Sequence, residues 1–319
     1  MTASKPQTAT LIDMLGEGYA VVNRRPWLLI LPLLLNLYLV FGAPLSFAPL
    51  LDSLSGLMQR MQPPGSDPAM VEQFADMAEQ LGRQDMRRPL AVLNVVPTLP
   101  PVREVAADDP SALRVSGVGG ALLAFVLINT LALPLSALFL VLTGQAVRGE
   151  RARQGLLRAT GRVALAMLTY IGVLAGVGIG LGLPYVFLSV MLMLLSPPLG
   201  LLAAMVLQLV SFWAWIYIGF ANEAIVIGEQ GPLGAIRASF NLVRHNFWST
   251  LGFLALSAFI IPLGMGIVWQ SISGTTFGLV ASAIGSAYIG CGLAAARMIF
   301  YRERIRRWRG APAYAGTGR

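Results

Sequence analysis

Four long stretches of this chain contain no Asp, Glu, Lys or Arg: residues 26–51, 115–147, 163–222 and 246–296. Each is longer than the roughly 20 apolar residues that a helix needs to cross a bilayer. A charged side chain at the centre of a membrane helix costs about 2.5–3.5 kcal/mol, so long uncharged apolar runs are typical of segments surrounded by lipid. Only 12% of the residues are charged, against about 25% in soluble domains. The sequence therefore predicts an all-α, polytopic transmembrane helical bundle.

Breaks inside these stretches predict how many times the chain crosses the membrane. Pro197 and Pro198 divide the third stretch because proline lacks an amide donor and disfavours helix in the residue before it. A polar turn around Ser273 divides the fourth stretch. Pro44 indicates an early end to the first helix, and Pro184 predicts a bend or tilt in the overlong third one. The six predicted spans are residues 27–50, 117–142, 164–195, 199–221, 247–269 and 277–298.

The arginine distribution predicts the orientation. Basic residues cluster at the N-terminus, in the connectors after the second and fourth spans, and in the tail at 299–319, whereas residues 52–114 hold six Arg against nine acidic residues. By the positive-inside rule, we expect both termini and the basic tail in the cytoplasm and residues 52–116 outside as an exoplasmic loop. That loop has a short helix beginning at Asp67-Pro68 and closing at Gly82. The prediction is a single domain over 1–319 in the bacterial inner (cytoplasmic) membrane.

Two cytoplasmic segments are predicted to be interfacial amphipathic helices. Residues 1–26 and the connector before the fifth span carry apolar residues at three- and four-residue spacing, which form one stripe on a helix. In the connector these residues are Leu233, Ile236, Phe240, Val243 and Phe247. Arg24, Arg25, Arg237 and Arg244 lie beside the stripes, and long arginine stems can cover apolar surface while the guanidinium reaches phosphate. We expect these arginines to contact anionic lipid headgroups.

Three polar side chains in or near the spans are candidates for a polar pathway: Glu223, Asn129 and Gln208. An ionisable group near the bilayer is a functional candidate by default. The alternatives are an ion pair at a helix end for Glu223 and ordinary hydrogen bonds between helices for the two amides. A pathway requires the three side chains to converge, which the sequence does not show.

Two sets of small residues at four-residue spacing are candidates for close helix packing, within the chain or between copies. The first set, in the third span, is Gly172, Gly176 and Gly180. The second set, in the sixth span, is Ser282, Ser286 and Gly290.

The sequence contains no pattern that indicates an enzyme. Cys291 and His245 are the only residues of their types, so neither a zinc-protease motif with two His nor an intramembrane Ser–His pair is present. We therefore expect no catalytic residue, no metal and no cofactor. The basic tail is interpreted as an orientation determinant, with no nucleic-acid partner. The leading hypothesis is a structural or partner-binding membrane module that contacts another membrane protein or its own copy. The alternative is a small transporter or lipid-handling carrier.

Residues 223–248 carry the one resemblance to a known family. The stretch reads EAIVIGEQGPLGAIRASFNLVRHNFW. It contains a Glu-x-Gly motif at 229–231, followed by Arg237, Ser239 and an aromatic residue. It resembles a segment of bacterial six-span membrane proteins of the glycerophosphoryl diester phosphodiesterase membrane-domain type. The resemblance implies the helical architecture but no activity, because the phosphodiesterase barrel of that group is a separate domain and this chain has no room for one.

Overall fold

The computed structural model describes residues 10–61, 68–100, 105–106, 109–150 and 155–308, and these are overwhelmingly helical. Five helices within these ranges are long and apolar enough to cross a membrane, and a sixth is counted if Leu11–Arg24 and Pro26–Phe41, which meet at a break, are one span. The five are Val118–Arg148, Leu156–Leu195, Pro197–Val226, Phe247–Ile272 and Thr276–Arg307. The predicted all-α fold class is confirmed, and the chain is a multi-pass integral membrane protein.

The first predicted span is shorter than expected. Helix α1, Leu11–Arg24, begins with a capping box in which the Thr10 hydroxyl accepts from the Asp13 amide and the Asp13 carboxylate accepts from the Thr10 amide. A 3₁₀ turn, Pro26–Leu29, leads into α2, Ile30–Phe41. The helix predicted over 27–50 thus stops at Phe41, because the chain turns extended at Gly42 before Pro44.

The segment expected to be an exoplasmic loop contains more structure than one short helix. Helix α3, Ala48–Met61, packs beside α4, Pro68–Gly82, and a single turn, α5, covers Arg87–Leu90. The bounds of α4 are those the sequence predicts, although Asp67 lies outside the described residues. Two short strands, β1 (Leu45–Ser46) and β2 (Leu113–Arg114), pair in parallel with Leu45 opposite Leu113.

The remaining helices follow the predicted breaks. The chain leaves helical geometry at Ser196 and again after Ile272. The helices are α6 (Val118–Arg148), α7 (Leu156–Val177), α8 (Leu183–Leu195), α9 (Pro197–Ile218), α10 (Ala221–Val226), α11 (Pro232–His245), α12 (Phe247–Leu254), α13 (Ile261–Ile272) and α14 (Thr276–Trp308).

Two π-helical segments precede prolines inside spans. Gly178–Gly182 joins α7 to α8 just before Pro184, and Ala255–Ile260 joins α12 to α13 just before Pro262. A proline has no amide for the bond to the carbonyl four residues earlier and its ring crowds that carbonyl. Widening the helix by one residue relieves that crowding. At Pro184 the helix therefore stays continuous through a π segment.

The chain divides into two compact units, and the single domain over 1–319 stays a prediction. The first unit comprises the described parts of 1–26, 140–263 and 291–319, and the second those of 27–139 and 264–290. The core of the first unit contains Phe220, Phe253 and Phe300, with ring centroids 4.5 Å apart for Phe253–Phe300 and 5.3 Å for Phe220–Phe300. The second unit is built around a non-helical segment.

Candidate functional site

Residues 91–100 of the second unit, termed the inserted segment, form an extended, irregular stretch in contact with four helices. Its side chains Leu93, Val96 and Leu99 are buried. Its backbone bonds to side chains of α2 and α6. A methyl group added at Gly290 of α14 would lie 2.2 Å from Pro97, and one added at Gly266 of α13 would lie 3.7 Å from Pro100. The inserted segment therefore fills the space that these helices leave between them.

Side chains from the spans satisfy the amides of the inserted segment. The Leu93 amide donates to Asn129 Oδ1 over 3.0 Å, and the Val95 amide donates to Ser136 Oγ over 2.8 Å. The Leu99 amide donates to Asn36 Oδ1 over 2.7 Å. Pro97 and Pro100 carry no amide. These arrangements matter because a buried amide without an acceptor costs about 1–3 kcal/mol.

The contacts of the inserted segment lie well inside the apolar runs. At 1.5 Å per residue, Ser136 is about 27 Å beyond the start of α6 and Gly290 is about 21 Å beyond the start of α14. Non-helical backbone at membrane depth is tolerated where protein surrounds it. The exoplasmic position expected for 52–116 stays a prediction, and residues 91–100 of that range bond through their backbone to side chains of the spans.

Asn129, one of the three candidates for a polar pathway, has a structural role. It is 5% exposed. Its Nδ2 donates to the carbonyls of Leu90 and Phe125, both over 2.8 Å, while its Oδ1 accepts from Leu93. All these bonds end on the inserted segment, on α5 before it or on its own helix. The amide is fully occupied in fixing the chain.

Glu223, in the first unit, forms a buried ion pair. Its Oε1 accepts from Arg297 Nε at 2.6 Å, and its carboxylate is far less exposed than a residue at a solvated helix end would be. Arg297 also donates to the Gly219 carbonyl and lies 5.2 Å over the Phe220 ring. The second oxygen, Oε2, is buried and accepts no hydrogen bond from the described residues. The pair ties α10 to α14.

Gln208 lies with the first glycine set on a hairpin whose surface is open. This exposed hairpin, residues 172–213, consists of the end of α7, α8 and most of α9. None of the most apolar window of Leu156–Leu195 is buried, and Gln208 is exposed without a hydrogen bond to the described residues. A methyl group added at Gly172, Gly176 or Gly180 would meet nothing within 4 Å. Close packing within the described chain is thus not seen at these glycines, and packing between copies stays a prediction.

The second small-residue set lies on a closely packed face of α14. Ser282 is fully buried and Ser286 is half-buried. Gly290 touches Pro97 of the inserted segment, as described above, so the partner of this face includes irregular backbone as well as helices. The nearby Gly285 contacts the Trp269 ring, 2.3 Å from where a methyl group would lie.

The four arginines expected at lipid headgroups differ in their contacts. Arg24, Arg237 and Arg244 are exposed. Arg25 instead donates from its guanidinium to the Glu150 carbonyl over 2.7 Å. Their contact with lipid stays a prediction.

Only part of the apolar stripe predicted for α11 is buried against the protein. Leu233 and Phe240, both in the stripe, are exposed, whereas Val243 is buried. The residues of α11 that face the protein are Ala235, Ser239, Leu242 and Val243. The Ser239 hydroxyl donates to the Tyr217 carbonyl and accepts from the Phe220 amide, which fixes the end of α9.

An apolar groove in the second unit lies between α2 and α6, with the inserted segment as its floor. This α2–α6 groove has a volume of about 310 Å³. Its walls include Leu35 and Leu39 of α2 and Leu131 and Leu135 of α6. Asn94 and Thr98 contribute the floor, and Arg87 and Arg88 lie at one end. The arrangement combines an aliphatic channel with a basic end.

The two arginines at this end differ in their partners. Arg87 is buried, with Nη2 2.6 Å from an Asp85 oxygen and further donors to the carbonyls of Tyr38 and Leu39. Those carbonyls belong to the last turn of α2, where a cation is favourable. Arg88 makes no side-chain hydrogen bond or ion pair with the described residues. Arg88 is exposed; partial desolvation by its surroundings lowers the pKa of its guanidinium, which remains charged at neutral pH.

Several of these functional positions were not among the sequence-based candidates. Asn36 could have been found from the sequence, because it is a lone amide side chain in an apolar stretch. Ser136 and Arg88 carried none, because a serine in a span and an arginine in a loop are both common. Comparisons with models of protein families, with curated proteins and with solved structures found no match. The resemblance to membrane domains of the glycerophosphoryl diester phosphodiesterase type accordingly stays a prediction.

Proposed function

We propose that this protein is a non-enzymatic module of the bacterial inner membrane that binds another membrane helix, from a partner protein or a second copy, through its exposed hairpin. Both termini lie in the cytoplasm in this proposal. The basic clusters beside the spans support that orientation through the positive-inside rule. The observation that carries the proposal is the hairpin's open small-residue surface.

Two independent features of the exposed hairpin support a helical partner. The glycines at 172, 176 and 180 leave the backbone accessible, as the open space around them shows, and small residues let two membrane helices approach closely. Gln208 exposes an amide within a charge-free run. An amide facing hydrocarbon loses its hydrogen bonds, and a polar group on a second helix restores them.

The polar groups inside the protein support a structural role over transport. Asn36, Asn129 and Ser136 hold the inserted segment, and Glu223 is paired with Arg297. A transporter needs polar groups that change partners during its cycle. In this protein the side chains just named already hold one segment of the fold against another, which favours the structural role.

The test is the mass of the protein in mild detergent and in lipid nanodiscs, with and without leucine at two of the glycines. We expect wild type to form a complex larger than a monomer, and Gly172→Leu/Gly176→Leu to shift it toward the monomer. Gly264→Leu is the matched control, since a side chain there also meets open space. A monomeric wild type excludes a second copy as the bound partner, and a complex equally stable in the glycine variant and the control contradicts binding through the hairpin.

A lipid-handling carrier is the second candidate function, favoured by the α2–α6 groove with its basic end. The distinguishing measurement is lipid exchange between donor and acceptor vesicles, one population containing the reconstituted protein. A carrier accelerates exchange, whereas a helix-binding module leaves the rate unchanged.

A further inference from the structure

We propose that the α2–α6 groove binds one anionic phospholipid, with an acyl chain between the helices and the phosphate on Arg88. The site lies in the second unit, whereas the exposed hairpin lies in the first. The inference therefore does not depend on the partner-binding proposal. The proposed site lies at the C-terminal end of α2, whereas Arg24 and Arg25, which are expected to contact lipid headgroups, precede its N-terminal end.

The walls of the groove have the chemistry of an acyl-chain site. They are aliphatic over most of their length, from Leu35 and Leu39 on one side to Ile128, Leu131 and Leu135 on the other. A volume of about 310 Å³ is at the lower end of the range for ligand pockets. Each methylene that leaves water for such an environment contributes about 0.8 kcal/mol.

The open side of the groove faces the surroundings of the spans. Leu131 is 67% exposed and Tyr38 is 57% exposed, and both belong to charge-free stretches. A ligand dissolved in the bilayer can therefore enter sideways. Tyr38, near the end of α2, is an aromatic residue of the kind that lies at headgroup level in membrane proteins. These features favour a lipid over a water-soluble ligand.

Arg88 provides the headgroup contact because its neighbour is already used. Arg87 is neutralised by Asp85, and its donors are directed at Asp85 and at the carbonyls that end α2. Arg88 carries a charge at the same end of the groove with no described partner. A guanidinium binds phosphate through two parallel hydrogen bonds. A net anionic headgroup is favoured because no acidic residue lines the groove among the described residues.

The test is native mass spectrometry of the full-length, detergent-purified protein titrated with phosphatidylglycerol. Arg88→Gln should weaken binding of the tightest lipid at least about tenfold, since the loss of even one of its two charge-assisted hydrogen bonds has that effect. Arg60→Gln, on exposed α3, removes the same charge away from the groove and should have no effect.

A second pair of variants tests the chain-binding part of the site. Leu131→Trp narrows the groove and should weaken binding by a similar factor. Leu127→Trp is the matched control, since Leu127 is also an exposed leucine of α6 but does not line the groove. Maleimide labelling of buried Cys291 during heating verifies that each variant is folded.

Three results would overturn the proposal. The first is equal phosphatidylglycerol affinity in wild type and Arg88→Gln. The second is equal affinity in the two tryptophan variants. The third is binding of phosphatidylcholine, or of glycerol 3-phosphate without chains, as tight as that of phosphatidylglycerol. Retention of phosphatidylglycerol alone, weakened in both groove variants, supports it.

Discussion

Replacing Asn129 with leucine should destabilise the protein far more than the loss of an ordinary polar contact in a membrane helix. The change leaves the Leu93 amide buried without an acceptor, which costs about 1–3 kcal/mol, and removes the bond to the Leu90 carbonyl, worth about 1 kcal/mol. Loss of the third bond, to the Phe125 carbonyl, adds little, because that carbonyl lies inside the helix and has a backbone donor there. The free energy of unfolding should therefore fall by about 2–4 kcal/mol, whereas hydrogen bonds between membrane helices average about 0.6 kcal/mol.

Equilibrium unfolding by SDS titration in mixed micelles measures this free energy. Gln270→Leu is the matched control, because it makes a similar change at an exposed amide of a charge-free run without a described partner, and it should shift stability by less than about 0.5 kcal/mol. Amide hydrogen exchange should also accelerate across residues 91–100 in Asn129→Leu. If Asn129→Leu and Gln270→Leu lose similar, small amounts of stability and exchange is unchanged, the assigned role of Asn129 is wrong.

Two further predictions use the same unfolding measurement. Glu223→Gln should lose about 2–3 kcal/mol, because it removes the counter-charge of the half-buried Arg297. Glu303→Gln, in an exposed pair, should lose under about 0.5 kcal/mol, and equal losses would contradict the stronger role assigned to Glu223. Gly290→Ala should lose about 1–3 kcal/mol through overpacking against the inserted segment, and Gly264→Ala, with open space around it, serves as its control; a neutral Gly290→Ala would show that the close approach is absent.

The spans and their breaks were predictable because their causes are local. The absence of charge over 163–222 and 246–296 reflects the solvent around those residues, and the break at Ser196 follows from the prolines after it. The start of α4 at Pro68 is likewise local. The π segment before Pro184 was predicted only as a bend or tilt, because the sequence does not show how a helix accommodates a proline.

The inserted segment could not be predicted because its causes are distant in sequence. Residues 91–100 have the proline content of an external loop, and only the positions of Asn36, Asn129 and Gly290 in space make their burial favourable. Each of those residues alone is common in membrane helices. The pairing of Glu223 was foreseen, but its burial and its partner Arg297 depend on how α10 and α14 meet.

The inserted segment also constrains the order in which the protein matures during biogenesis. The ribosome synthesises Pro97 long before Gly290, so the nascent segment leaves the translocon when half of its eventual enclosure does not yet exist. Its amides find acceptors on α2 and α6 early, but until α14 arrives the side of the segment at Pro97 lacks the helix that covers it. Completion of the second unit is accordingly a late, post-insertion event, and a nonsense mutation ahead of α14 would leave residues 91–100 without part of their cover.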